Sequence, residues 1–388
     1  MGNALKASCE VRPSTEARRL AGGDPEELNW AELIDQLFQP CHEALLLLTS
    51  PTEQTFGKEP ARPRKVVQCF RSAAAASQVE TLSDRLGLVC QKGQKKTPNQ
   101  DSAFYLEFLD SDGDKIWLAC VMDGHGPLGH EMSALVMQWL PLLVLREPKL
   151  ASEAGRIVPS DPQTVFDAIT AAFQKMSVLM MRASAAPLQR ELSGTTCVFA
   201  LAARGLLHTA NVGDSRAVLG TLMPGPSELA LRVDCRPLTR DHKPEDVEER
   251  ARIEAMGGVV KNQRVYTDTW PIVGLNLSRS FGDSRVHAVG VSDVPDVTTS
   301  FLESAAQTGD AQAACESDAG PLKQFLAVAS DGVWEFLSSS DATDTVGAML
   351  LSQKTASQAA ERLASRAENS WRQEGADMDD ITTIVVVI

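Results

Sequence analysis

Nothing in the sequence would build a disulfide or zinc framework. Its 388 residues include eight cysteines, at 9, 41, 69, 90, 120, 197, 235 and 315, and no two of them form a CxxC pair. Cys120 and Cys197 fall inside apolar, strand-like runs, so they read as buried free thiols in a reducing compartment. Positive charge is also in deficit: 37 Lys and Arg stand against 51 Asp and Glu, for a formal charge of −14. Binding along a nucleic-acid backbone needs a basic surface, so no nucleic-acid partner is expected. Long apolar runs are missing as well. The longest, Ala134–Leu145, carries Gln138 and Pro141 and is too short to span a bilayer. Residues 1–25 hold no apolar core of the kind a secretory leader needs. The chain reads as a soluble, cytoplasmic monomer, with a nuclear location left open.

One feature qualifies that reading. Met1-Gly2-Asn3-Ala4-Leu5 resembles the start of a myristoylated protein, with Gly2 the acceptor. The pattern wants Ser or Thr at position 6; Lys6 stands there, and Ser8 comes two residues later. Cys9 is placed to take a palmitoyl chain, the second anchor that stable attachment requires. Peripheral membrane association through the N-terminus and an unmodified tip both remain open.

Residues 1–80 read as an extension. Segments rich in Pro, Gly and charge (Arg12–Pro25, Pro51–Lys65) flank one helical pattern, Glu26–Leu48, where Leu28, Leu33, Leu37 and Phe38 suit a docking helix. Residues 81–388 have the texture of an α+β domain. Strand-like runs are Ile116–Met122, Thr195–Ala202, Leu206–Val212, Ala217–Leu222, Phe325–Ala329 and Ile381–Ile388. Helical patterns cover Gly129–Leu145, Pro162–Arg182, Pro244–Met256, Asp341–Leu351 and Ser357–Trp371. Pro148–Ser160 and the acidic Glu303–Gly320 read as inserted loops.

Four acidic positions share one context. Asp123 follows Ile116–Met122 and precedes Gly124-His125-Gly126. Asp331 follows Phe325–Ala329 and precedes Gly332. Asp214 follows Leu206–Val212, and Asp379-Asp380 stands directly before the terminal strand. A lone Asp beside Gly after a strand is an ordinary turn residue. Four together are another matter, because carboxylates gathered at one edge of a sheet repel unless a cation neutralises them. Hard oxygen ligands with few His or Cys nearby point to Mg²⁺ or Mn²⁺ rather than Zn²⁺. Glycine at 124 would let its own carbonyl approach a metal. An unperturbed imidazole titrates near neutrality, so His125 suits proton delivery to a leaving oxygen, or is simply a loop histidine.

The order of motifs then becomes diagnostic. GQKKTPNQDS at 93–102, VMDGHGPLGH at 121–130, SGTT at 193–196, ANVGDSRAVL at 210–219, LTRDHKPED at 238–246, GLNLSRSFGD at 274–283, VASDGVWEF at 328–336 and DDITTIVV at 379–386 follow one another. In that sequence they resemble the metal-dependent protein phosphatase family, protein phosphatase type 2C, and most closely its plant and protist branches. The resemblance implies a four-layer α-β-β-α sandwich, two mostly antiparallel sheets flanked by helices. It implies two Mg²⁺ or Mn²⁺ ions per site, with a third more weakly held, and phosphoprotein substrates. Serine and threonine phosphates would be hydrolysed by metal-activated water without a phosphoenzyme.

Position by position, Asp123 resembles the carboxylate bridging both metals and the Gly124 carbonyl a ligand of one. Asp331 and Asp379 resemble ligands of the other. Asp101, or Gln100 beside it, would orient water at the edge, Asp214 resembles a third-metal residue, and His125 the general acid. The basic residue that binds phosphate aligns with Lys96, with Lys95 adjacent, where many members carry Arg; lysine supplies charge without a bidentate fork. Glu335 and Asp380 also depart from the common pattern, yet no core ligand is missing. Trp334 reads as a packing residue, Arg279 as a loop brace, and Pro244–Met256 as a solvated helix in a flap beside the site. The alternatives are a catalytically silent, phosphatase-like binding module and a membrane-tethered scaffold.

Overall fold

Residues 115–122 show why this chain makes stacked sheets. Ile116, Leu118, Cys120 and Met122 point to one side and pack among helix residues, while Trp117, Ala119 and Val121 point to the other and pack against a second sheet. A strand buried on both faces carries apolar residues at both phases of its two-residue period.

The computed structural model describes residues 47–48, 68–71 and 82–388, apart from 96, 110–113, 146, 148–149, 151–160, 185–187, 225–230, 268–269 and 303–322. The larger elements, in chain order, are β1 (Leu47–Leu48), β2 (Gln68–Arg71), β3 (Leu86–Gln91), β4 (Ser102–Leu109), β5 (Lys115–Met122), α1 (Gly129–Leu145) and α2 (Pro162–Ser184). There follow β6 (Cys197–Ala203), β7 (Leu206–Val212), β8 (Arg216–Pro224), β9 (Leu231–Pro237), α3 (Val247–Ala255) and β10 (Asp296–Phe301). The chain closes with β11 (Gln324–Ala329), α4 (Ser339–Leu351), α5 (Ala356–Glu374) and β12 (Ile381–Val387).

One sheet has the order β1-β2-β4-β5-β6-β7-β10, the other β9-β8-β11-β12-β3. All pairs in both are antiparallel except β2 with β4. Between the sheets lies an apolar layer drawn from both, including Tyr105, Trp117, Val198, Leu219, Leu326 and Ile384. Helices α1 and α2 cover the outer face of the first sheet, and α4 and α5 that of the second. This is the four-layer α-β-β-α sandwich expected.

The outer helices form for legible reasons. Thr355 and Gln358 make a capping box at the start of α5, and Gly375 ends it in the left-handed region. Its buried Ala356, Ala359, Ala360, Leu363, Ala364 and Ala367 recur at helical spacing and form the stripe that meets the sheet. Phe173 of α2 packs on Phe199 and Phe281, with ring centroids 6.3 and 5.5 Å apart. Such aromatic pairs contribute about 0.5–1.5 kcal/mol each beyond their buried area.

The extension expected over residues 1–80 is described only at β1 and β2, and both join the first sheet. Leu47–Leu48 is strand, which corrects the C-terminal end of the expected Glu26–Leu48 helix: its backbone groups pair with Phe70 and Arg71 instead of within a helix. The rest of that helix, Gly2, Cys9 and Lys96 lie outside the described residues. Among the described residues no helix is long and apolar enough to cross a membrane.

Candidate metal centre

Antiparallel pairing brings the aspartates to one edge. In the first sheet the end of β5 lies opposite the start of β4, Met122 beside Ser102, and the end of β7 opposite the start of β6, Val212 beside Cys197. In the second, the end of β11 meets the start of β8, Ala329 beside Arg216, and Ile381 at the start of β12 pairs with Gln91. Asp101, Asp123, Asp214, Asp331 and Asp379 each stand within two residues of one of these strand ends. Residues separated by more than two hundred positions in sequence are therefore neighbours.

Electrostatics records how close they are. The Asp123 carboxyl is held well above the ordinary carboxylate range by burial first, and then by the charges of Asp331, Asp101 and Asp379. Asp331 is pushed up to about 7 by burial and by Asp214 and Asp379, and it shares a hydrogen bond with Asp123. Asp101 is pushed up to about 8, by burial and then by Asp380 and Asp379. Desolvation and like charge both disfavour the ionised form, and here they act together. One atom is left over: Asp331 Oδ1 is buried and has no hydrogen-bond partner.

Backbone and hydroxyl groups fix the frame. The Asp123 amide donates to Thr196 Oγ1 (3.0 Å), while Thr195 Oγ1 and the Thr196 amide donate to the Asp123 carbonyl. Ser330 Oγ donates to Asp101 Oδ2 (2.8 Å). Gly124 is glycine because the chain is crowded there: a Cβ would stand 2.2 Å from the Gly129 carbonyl oxygen and 2.6 Å from that of Gln100. The Gln100 side chain donates to the Gly126 carbonyl.

Two lysines supply positive charge. Lys95 Nζ is paired with Asp379 Oδ2, and Lys243 Nζ with Asp214 Oδ2. Burial opposes the charge on Lys95, yet the carboxylates of Asp379, Asp123 and Asp331 prevail and hold its pKa above the usual lysine value. Lys95 thus marks where a cation enters this edge. Sequence reasoning named Lys95 only as the neighbour of Lys96, and missed Lys243, whose position in the chain carries no signal of its destination.

His125 lies beside the carboxylates on a small three-stranded sheet made by Gly124–His125, Gly194–Thr195 and Phe281–Gly282. Its Nε2 is 2.6 Å from Asp283 Oδ2. Burial alone would lower the imidazole pKa; the charge and hydrogen bond of Asp283 outweigh it, and Asp214 and Asp331 add to the rise. Asp283 is the second functional neighbour that sequence reasoning missed. A cavity of about 670 Å³ adjoins the site through Lys243, lined also by Arg216, Thr239, Arg240, Asp241 and Ser339; it lies beside the carboxylates, not on them.

The residues fit a hard dication. Among the described residues no three His, Cys, Asp or Glu side chains have the spacing of a closed metal cluster. The donor set is nonetheless all oxygen, it repels itself, it has drawn an ammonium group onto Asp379, and one carboxylate oxygen is buried without a partner. Asp123, Asp331 and Asp379, with the Gly124 carbonyl, are the groups that would hold Mg²⁺ or Mn²⁺.

Known proteins resemble this chain in sequence and in fold. The protein phosphatase 2C family model matches residues 86–374. The chain is 30% identical over 318 residues to "Probable protein phosphatase 2C 72" of Arabidopsis thaliana, covering 78% of this chain and 86% of that one. It is 29% identical over 317 residues to "Probable protein phosphatase 2C 48" of Oryza sativa subsp. japonica, covering 78% and 83%. In three dimensions it resembles the serine-threonine phosphatase 2C of Toxoplasma gondii, with a TM-score of 0.59 at 18% identity over 88% of this chain and 98% of that one. The eight ordered motifs, the sandwich, the carboxylate edge and these matches lead to one assignment: the chain belongs to the protein phosphatase 2C family and is a serine/threonine protein phosphatase.

Proposed function

We propose that this chain hydrolyses phosphoserine and phosphothreonine in proteins at the edge formed by Asp101, Asp123, Asp331 and Asp379, using two Mg²⁺ or Mn²⁺ ions, with Asp214 near a third. The observation that carries this reading is the gathering of carboxylates from five strand ends, where burial and neighbouring charge hold Asp123 and Asp331 above the ordinary carboxylate range and Asp331 Oδ1 is buried without a hydrogen-bond partner. When bound, such dications ionise a water near neutral pH and neutralise phosphoryl oxygens.

The protein's own groups do the rest. Asp123, Asp331 and Asp379 hold the charge in place, and the Thr195 and Thr196 contacts keep the Asp123 backbone from shifting. Lys95, drawn to Asp379, is a point charge at the same edge and suits a phosphoryl oxygen as a second partner. His125 has Nε2 engaged by Asp283, which leaves Nδ1 to carry the proton to the departing serine or threonine oxygen. No cysteine stands in a phosphate-loop context in the sequence, so a covalent phosphocysteine is not part of the scheme.

The test is turnover of a phosphothreonine peptide by the wild-type protein with Mn²⁺, with Mg²⁺ and with chelator, beside Asp331→Asn. Metal-dependent turnover in the wild type and none in the variant is expected. A wild-type protein inert with every metal would leave the silent binding module as the better reading.

A further inference from the structure

We infer that Asp283 is a positioning residue for the phosphatase reaction, setting the orientation and tautomer of His125 through contact across a gap that only glycine leaves open. The inference rests on the reading of His125 as general acid. The geometry that supports it is independent of metal.

The two side chains come from positions 158 residues apart. They meet because the small sheet has Gly194 in its middle strand, paired on one side with His125 and on the other with Gly282, the residue before Asp283. A Cβ on Gly194 would stand 2.2 Å from Asp283 Oδ2 and 2.5 Å from the Phe281 carbonyl oxygen. Any other residue there would fill the space through which carboxylate and imidazole touch. Asp283 is itself held. Its amide donates to the Ser193 carbonyl (2.9 Å), Ser280 Oγ donates to its Oδ2 (2.6 Å), and its backbone sits in the left-handed region at φ 46°. Left-handed backbone outside glycine is uncommon, and the surrounding bonds over-determine it.

The carboxylate is buried and the imidazole is partly exposed, with side-chain exposures of 4% and 24%. That is the pattern of a fixed acceptor behind a ring whose far edge faces outward. An acceptor on Nε2 keeps a hydrogen there in either charge state, so the second proton of the imidazolium, on Nδ1, is the one given to the departing oxygen, and neutral imidazole with its hydrogen on Nε2 is left behind. No proton need move onto Asp283: it orients, and His125 donates.

The consequence depends on the leaving group. A serine or threonine alkoxide needs a proton as the P–O bond breaks, whereas p-nitrophenolate departs as a stable anion. General-acid delivery contributes on the order of 10²–10⁴-fold where it is needed. The experiment compares wild type, Asp283→Ala, Asp283→Asn, His125→Ala and the His125→Ala/Asp283→Ala pair on a phosphothreonine peptide and on p-nitrophenyl phosphate, with saturating Mn²⁺. Asp283→Ala is expected to lower kcat on the peptide by about 10²-fold, with KM little changed and p-nitrophenyl phosphate turnover nearly kept. Asp283→Asn, which keeps an acceptor for Nε2–H, should retain more peptide turnover than the alanine variant. The double variant should be no slower than His125→Ala alone, since a residue acting through another adds nothing once that other is gone.

Equal losses on both substrates, or a double variant slower than His125→Ala, would overturn the inference. So would an impaired His125→Ala beside an unimpaired Asp283→Ala, and that result would leave the general-acid reading standing. An unimpaired His125→Ala would instead remove that reading and the inference together. If the alanine variant does not fold, the Asp283→Asn comparison decides: a peptide-selective loss supports positioning, and parallel losses refute it.

Discussion

At the scale of single residues, the site stores repulsion that function needs and stability does not. Asp331, buried among Asp123, Asp214 and Asp379, is pushed up to about 7, which means its ionised form is disfavoured. Replacing it with asparagine keeps the shape and removes the charge. Asp331→Asn should therefore melt higher than wild type in chelator by differential scanning calorimetry, while its metal-dependent turnover falls by more than about 100-fold, beyond the effect of losing an outer-shell partner. A variant that melted lower, or stayed active, would deny the carboxylate this role. Asp123, Asp331, Asp379 and Asp214 were legible in the sequence because each abuts an apolar strand run and three abut a glycine. Asp283 and Lys243 were not. Their partners, His125 and Asp214, lie 158 and 29 positions away; pairing in the small sheet brings Asp283 to His125, and the bonds between His242 and Gly213 bring Lys243 to Asp214.

At the scale of elements, helix α3 is tied down by one buried carboxylate. Glu249 of α3 is 1% exposed and receives Arg279 through both oxygens, Arg252 at 2.9 Å and Ser278 at 2.7 Å. Arg279 goes on to Asp296 on β10. It braces loops, as the sequence reading had it. Trp334 likewise packs, donating Nε1 to the Ala329 carbonyl beneath the Arg216 guanidinium. Helix α3 is shorter than the sequence pattern, beginning at Val247, and it is less solvated than its charged composition promised, since Glu249 is inside. Breaking a buried ion pair by deleting one partner costs about 3–5 kcal/mol, so Glu249→Ala should lose about that much in urea unfolding. A loss under about 1 kcal/mol would place Glu249 among exposed pairs. Strands rich in β-branched and apolar residues, such as β7 and β12, were readable from composition. β10 and β9 were not: they are edge strands, and Asp296–Phe301 is mostly solvent-facing, so no alternation of burial marks it.

At the scale of the whole molecule, the same charges set how stability depends on pH. Glu249 is held at about 2 against an ordinary 4.5, because the hydrogen bonds of Arg279, Arg252 and Ser278 outweigh its burial. Its stabilisation is complete above 4.5 and lost as pH falls through about 2. Asp331 and Asp101 act the other way. Their folded-state values of about 7 and about 8 exceed the ordinary 3.8, so the folded protein keeps protons that the unfolded chain releases. Their contribution is fully present below 3.8 and lost as pH rises through about 7 and about 8. In chelator, melting temperature should rise through the acid range and then decline toward pH 8. Saturating Mg²⁺ should flatten the decline, since a dication neutralises the ionised carboxylates. A profile that Mg²⁺ leaves unchanged would contradict this balance.

The most direct measurement is calorimetric titration of Mn²⁺ into chelator-stripped protein near pH 7, run in two buffers of different ionisation enthalpy, for wild type and Asp331→Asn. Carboxylates that hold protons must release them to bind a cation. The account predicts binding by the wild type, with a buffer-dependent heat that reports proton release, and weaker binding with less release in Asp331→Asn. Equal binding by both proteins, or wild-type binding with no proton released, would contradict it.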